Sequence, residues 1–273
     1  MSYKQTRIGI TLGDPAGVGP EITAKAIQAM PPDVRVRTVV IGAPETFARA
    51  CRLIGFDVHM VGADADASDG KAVCVADIAA EGPAPDGKLS AEGGEAAFRA
   101  VKRGVELATG GAIGCIVTAP LNKAALHLAG HDYDGHTGLL AHLTGQKSGY
   151  MLLASEKLNT IHVSTHVSLE EATRRASKER VLAVVSAAIE HFKGLGMAAP
   201  RVAVAGLNPH CGEGGIFGRQ EIETIAPAVE AARERGWNVA GPISGDTYST
   251  VRRAASLTLW SRNTMIRATS RSS

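Results

Sequence analysis

Three blocks of this chain could do chemistry, and each contains a histidine. Gly135-His136-Thr137 and Asn208-Pro209-His210-Cys211-Gly212-Glu213-Gly214-Gly215 set histidines among glycines, and His166 closes Ser164-Thr165-His166 after an apolar run. Imidazole titrates near neutrality and ligates metals, while glycine lets backbone and ligand approach closely. The combination suits a metal or a phosphate. His136 and Thr137 sit where a helix is predicted to begin, so backbone N–H groups and the threonine hydroxyl could hold an anion there. His166 and His210 each follow a predicted strand, and in parallel sheets ligands collect at the carboxyl ends of strands. Two histidines fall short of a catalytic metal site, which normally takes three protein ligands. On residue type alone a histidine of this kind is more often a satisfied polar side chain than a metal ligand.

Other blocks frame these. Gly13-Asp14-Pro15-Ala16-Gly17-Val18-Gly19-Pro20-Glu21 joins a strand to a helix. It is not GxGxxG and carries no Gly-Lys-Ser/Thr, so neither a Rossmann nor a P-loop reading applies. It is either a structural turn or one wall of an active site. Val117-Thr118-Ala119-Pro120-Leu121-Asn122-Lys123 ends a strand in a polar loop that leads on to Gly135. His127, His131 and His142 read as surface residues as readily as ligands, and His59, His162 and His191 as structural or solvent-facing. Cys211 is the one cysteine with a functional neighbourhood, but no base partner lies near it in sequence. The absence of HxH and HExxH argues against a metal-dependent hydrolase.

The elements that must position these residues alternate between β-rich runs and helical patterns, as in an α/β fold with a largely parallel sheet. Strands are predicted at Arg7–Leu12, Arg37–Ile41, Ala112–Thr118 (as a buried strand), Tyr150–Ala154, Thr160–Ser164 and Arg201–Ala205. Helices are predicted from about Pro20 and over Pro44–Gly55, Ala91–Ala108, Lys178–Lys193 and Gln220–Arg235. The clearest is Lys178–Lys193, where Val181, Val184, Val185, Ala188 and Phe192 share one face. Ala63–Gly87, rich in Asp, Ala, Gly and Pro, reads as a loop or excursion rather than a linker.

Composition narrows the function classes. Of 273 residues 45% are hydrophobic and 21% charged, as in an ordinary globular protein. A net charge of +2 and 4% aromatics give no basis for binding nucleic acid or an anionic membrane. The polar N-terminus and the lack of a long apolar run lead to the expectation of a cytoplasmic protein without a membrane span. Four cysteines without CxxC spacing are expected as reduced thiols.

Taken in order, Gly13–Glu21, Val117–Lys123, Gly135–Thr137, Ser164–His166 and Leu207–Gly215 resemble the 4-phosphohydroxythreonine dehydrogenase family of vitamin B6 synthesis, over roughly Arg7 to Thr247. The resemblance implies an isocitrate/isopropylmalate dehydrogenase-like fold: two α/β subdomains with a mostly parallel sheet. It further implies a homodimer with the active site near the subunit interface, NAD or NADP, and a divalent metal (zinc, cobalt or magnesium). The implied reaction is oxidation of the secondary alcohol of a small phosphorylated hydroxy acid, most directly 4-phosphohydroxythreonine with decarboxylation. Close relatives in the family take 4-phospho-D-threonate or 4-phospho-D-erythronate, and a distant one an aromatic cis-dihydrodiol. His136 and Thr137 are the implied substrate contacts, and His166 and His210 the implied metal ligands; no catalytic or cofactor-binding residue is assigned. One departure is Gly138, where the family commonly has an acidic residue.

A larger departure follows Thr247. The family continues with a strand and a Tyr-His-Asp-Gln-Gly-His motif that supplies the third metal histidine, with further Lys, Asn and Arg beyond. Here the chain runs Tyr248-Ser249-Thr250-Val251-Arg252-Arg253 and on to Ser273 with no apolar period. Restoring one G after the Thr247 codon permits Val-Phe-Tyr-Arg-Ala-Ala-Arg-Gly-Glu-Phe-Asp-Ala-Val-Val-Ala-Glu-Tyr-His-Asp-Gln-Gly-His-Ile-Pro-Val-Lys, with one choice of synonymous codons satisfying both frames. Residues 1–247 therefore read as an incomplete dehydrogenase region with its C-terminal part missing, and 248–273 as an out-of-frame tail expected to add little to the core. An inactive fragment is the corresponding alternative.

Overall fold

The computed structural model describes residues 6–65, 72–79, 87–146, 149–155, 159–165 and 167–244, and the strand Met265–Thr269. The chain divides into two compact units, Met1–Gly149 and Tyr150–Ser273.

In the first unit the order is β1 (Ile8–Thr11), α1 (Gly19–Ala29), α2 (Pro32–Arg35), β2 (Thr38–Ile41), α3 (Pro44–Leu53), β3 (His59–Gly62), β4 (Ala72–Ala76), α4 (Ala91–Thr109), β5 (Cys115–Thr118), α5 (Lys123–Leu128) and α6 (His136–Leu143). The five strands form a sheet in the order β3-β4-β2-β1-β5, every pair parallel. Successive side chains of a strand point to opposite faces, and the two cores follow that rule. Val39, Ile41, Cys74 and Ala76 pack against Ala96 and Ala100 of α4 on one face. Val40, Val73 and Val75 pack against Ala24 and Ile27 of α1 and Phe47 of α3 on the other. Fully burying a side chain such as Phe47 or Ile27 stabilises the fold by roughly 1.5–3 kcal/mol.

Two expectations are corrected here. The stretch Ala63–Gly87 is not simply a loop: it contains β4, whose five residues are all buried. A strand covered on both faces shows no polar alternation, and five apolar residues among Asp, Gly and Pro are lost in the local composition. The strand predicted over Ala112–Thr118 exists as β5 but lies at the sheet edge, with Cys115 and Val117 exposed.

The second unit contains β6 (Leu152–Leu153), β7 (Thr160–His162), α7 (Leu169–Arg175), α8 (Lys178–Gly194), β8 (Arg201–Ala205), α9 (Ala226–Glu234), β9 (Asn238–Ile243) and β10 (Met265–Thr269). Helix α8 begins at a serine cap, Ser177 Oγ accepting the Arg180 N–H at 3.2 Å. Its predicted apolar face is the observed one: Val181, Val184, Val185, Ala188 and Phe192 lie in one cluster with Val202, Val204, Ile225 and Val229. The sheet order is β6-β7-β10-β8-β9, with β8 and β9 parallel and β10 antiparallel to both β7 and β8. Residues 265–269 of the tail pair at the middle of this sheet. Ladder pairing satisfies backbone N–H and C=O groups whatever the side chains, so a segment without an apolar period can still fill a strand position.

Candidate active site

The carboxyl ends of β1 and β5 lie side by side, in register from Ile8↔Cys115 to Thr11↔Thr118. This brings the Gly13–Glu21 and Val117–Lys123 blocks together, because both leave the sheet there. Asp14 N–H donates to the Pro120 carbonyl at 3.1 Å. A Cβ at Gly13 would stand 2.1 Å from that same oxygen, so only glycine allows the approach. Asp14 is itself buried, Oδ1 accepting the Ala16 N–H at 2.9 Å and closing the turn. Asn122, singled out as a polar loop residue, caps α5: its Oδ1 accepts from the N–H groups of Ala124 at 3.0 Å and Ala125 at 3.3 Å. A cap of this kind stabilises by about 1 kcal/mol.

The third block joins the same edge. Gly135 precedes α6 with φ 131° and ψ −164°, backbone essentially closed to other residues. It makes no side-chain cap, so the first N–H groups of α6 are not taken by one. His136 packs against the Ala119 carbonyl. Burial pushes its pKa below the ordinary 6.5, and the hydrogen bond to Ala119 opposes this. Its Nε2 is buried and has no partner within the protein. Buried polar atoms are nearly always hydrogen-bonded, so an orphan of this kind points to a ligand. Thr137 is exposed beside it. Lys123 Cε comes within 3.7 Å of a Cβ built at Gly135, adding a positive charge the sequence reading did not select. Glu21, at the end of the first block, also has a buried oxygen, Oε2, without a partner. These features favour the active-site wall over the merely structural turn for Gly13–Glu21.

The remaining histidines of this unit stay outside the site. His131 Nε2 lies 2.7 Å from Glu95 Oε2 and its ring stacks on Phe98 at 3.6 Å, pinning the loop before Gly135 to α4. His59, His127 and His142 are exposed.

In the second unit, β8 ends at Ala205 and the chain enters the Asn208–Gly215 block. From His210 to Gly214 every residue has left-handed backbone, with φ of 50°, 54°, 77°, 44° and 65°. Left-handed conformation costs an ordinary L-residue roughly 1–2 kcal/mol, and His210, Cys211 and Glu213 all bear that cost. His210 is exposed on this turn, its ring 6.3 Å from that of Phe217. His166 lies outside the described residues. Among the described residues no three His, Cys, Asp or Glu side chains converge as a metal-ligand set. His166 and His210 alone do not make the three-ligand site that catalytic divalent metals use.

The first unit thus has the plan of an α/β enzyme, with a candidate ligand site at the carboxyl edge of a parallel sheet. Comparison with known proteins places it more closely. The family model described as pyridoxal phosphate biosynthetic protein PdxA matches residues 35–258. D-threonate 4-phosphate dehydrogenase of Cupriavidus necator is 42% identical over 246 residues, covering 88% of this chain and 74% of that one. The Salmonella typhimurium enzyme of the same name is 43% identical over 246 residues, covering 88% and 75%. The crystal structure of a 4-hydroxythreonine-4-phosphate dehydrogenase from Klebsiella pneumoniae superposes with a TM-score of 0.81 at 39% identity, covering 92% of this chain and 78% of that one. The chain belongs to the PdxA family and is a dehydrogenase by that membership. Among the described residues no helix is long and apolar enough to cross a membrane.

Proposed function

We propose that this chain derives from an enzyme that oxidises the secondary alcohol of a small phosphorylated hydroxy acid with NAD or NADP, binding the phosphate at the start of α6. The observation that carries the reading is the buried, unpartnered Nε2 of His136 beside uncapped N–H groups of a helix and near Lys123. His136 and Thr137 orient the substrate, contributing position rather than bond-making. The nicotinamide, when bound, accepts the hydride; no motif in the chain marks its site. A hydroxyl β to the carboxylate becomes a β-keto acid on oxidation, and such acids lose CO2. Among the described residues the metal that the family resemblance implies has no complete ligand set, and no step is assigned to it. Homodimer assembly and a cytoplasmic setting belong to the same reading.

The choice between an α-amino and an α-hydroxy substrate turns on two observations. Relatives at 42% and 43% identity are named for D-threonate 4-phosphate. Gly138 supplies no carboxylate to meet an α-ammonium, and a Cβ there would meet nothing within 4 Å. Packing therefore does not demand glycine. Both points support a D-threonate 4-phosphate type of substrate over 4-phosphohydroxythreonine. In a frame-restored enzyme, Gly138→Glu is expected to shift kcat/KM toward the α-amino substrate by about tenfold, the scale of one charge-assisted hydrogen bond. No shift, or a shift toward the hydroxy acid, would reverse the assignment.

The phosphate contact has its own test. A phosphate dianion takes a charge-assisted hydrogen bond from an imidazolium, so its binding is expected to favour the protonated form of His136. KM for the phosphorylated substrate is expected to rise with pH above the depressed pKa of the free ring, by up to about tenfold per unit. His136→Ala should raise that KM by about tenfold or more and flatten the dependence, with little effect on an unphosphorylated analogue. Equal losses on both substrates would show that His136 does not contact the phosphate.

A further inference from the structure

The left-handed turn that carries His210 needs something to hold it. We infer that Glu221 is the positioning residue for this turn, its buried carboxylate clamping the chain between β8 and His210. Acidic side chains are rarely so buried without partners, and Glu221 is 3% exposed. Its partners are the residues that lead into the turn. Oε1 accepts the backbone N–H groups of Leu207 and Asn208, both at 2.6 Å. Oε2 accepts from Asn208 Nδ2 at 2.8 Å, and the same amide donates to Gln220 Oε1 at 2.7 Å. The carboxylate also fills the space inside the turn. A Cβ at Gly206 would lie 3.3 Å from Oε1, and one at Gly212 would lie 2.9 Å from Oε2.

The carboxylate is itself held by the core. Glu221–Ile225 forms a π-helical turn at the start of α9, whose extra residue re-aims the side chains around it. Ile225, Ala228, Val229 and Ala232 bury the rest of that helix against α8. A rigid helix thus presents an anion to backbone donors that would otherwise be lost on leaving β8, and the strained turn is pinned at its root. The functional meaning of this clamp rests on the reading of His210 as a ligand; the clamp itself does not.

Thiol labelling resolved by peptide tests it. Cys211 follows His210, and its sulfur lies 2.7 Å from a Cβ built at Gly206, tucked against the end of β8. Cys115 is exposed and reports reagent reactivity, while buried Cys51 and Cys74 report global opening. Glu221→Gln keeps the shape but turns Oε2 into a donor facing the Asn208 amide. Labelling at Cys211 is expected to quicken by about tenfold, with the other three cysteines unchanged and Glu221→Asp intermediate. An unchanged rate at Cys211, or an equal rise at all four, would overturn the assignment. Hydrogen exchange on the unsubstituted protein decides it should the variants fail to fold: the Leu207 and Asn208 amides are expected to be as protected as those of β8. Exchange at the rate of open loops would refute the clamp. Cobalt titration of His210→Ala tests the ligand reading separately, since unchanged cobalt binding there would remove that reading and leave the Cys211 result standing.

Discussion

Insertion of one G after the Thr247 codon is expected to raise NAD(P)-linked oxidation of D-threonate 4-phosphate from undetectable by at least about 10³-fold, since losing even one charge-stabilising group typically costs 10²–10³. The proposal rests on residues 248–273. Their codons can encode, one nucleotide out of step, a β-rich run Phe-Asp-Ala-Val-Val-Ala-Glu followed by Tyr-His-Asp-Gln-Gly-His. One step has no freedom: Met265 followed by Ile266 must yield Asp in the other frame. The chain as it stands places Met265–Thr269 between β7 and β8. The restored run would offer that position apolar side chains suited to the core under α8. Resequencing the locus tests the missing nucleotide. Absorbance assays of both chains, with 4-phosphohydroxythreonine and D-threonate 4-phosphate, test its consequence. Robust turnover by the chain as written would defeat the functional half of the proposal, whatever the DNA shows.

Divalent-metal binding is the second large effect. Removing groups that only support metal ligands typically weakens binding 10–100-fold, and a missing direct ligand should cost at least the upper end of that range. Cobalt or zinc affinity of this chain is therefore expected to be on the order of 100-fold or more below that of the frame-restored protein. Isothermal titration measures it. Tight stoichiometric binding by the unrestored chain, abolished by His166→Ala, would show that the missing histidine is dispensable or replaced.

Much of the positioning machinery was legible because it follows local rules. The apolar face of α8 lies at helical spacing, and its predicted and observed bounds differ by one residue, Lys193 against Gly194. The Gly135–Thr137 block was marked by its residue types alone, and the structure gives Gly135 φ 131°. By contrast β4 was hidden, because a strand covered on both faces loses the alternation that marks half-buried strands. Lys123 sat inside a noted block, but its approach to Gly135 depends on how α5 and α6 are set. Nothing local marked Glu221, which stands 13 residues from Asn208.

What the sequence by itself determined is the family and the order of the blocks along the chain. Each of these is written in residue identity and spacing along the chain. Only the tertiary structure decided that the Gly13 and Pro120 loops meet, that His136 keeps a bare buried nitrogen, and that a carboxylate holds the turn bearing His210. These are contacts between residues far apart in sequence. They exist because burial in the two cores brings the strand ends and helix starts together, and an ionised or polar group closed off from water is stable only where the fold delivers its partner.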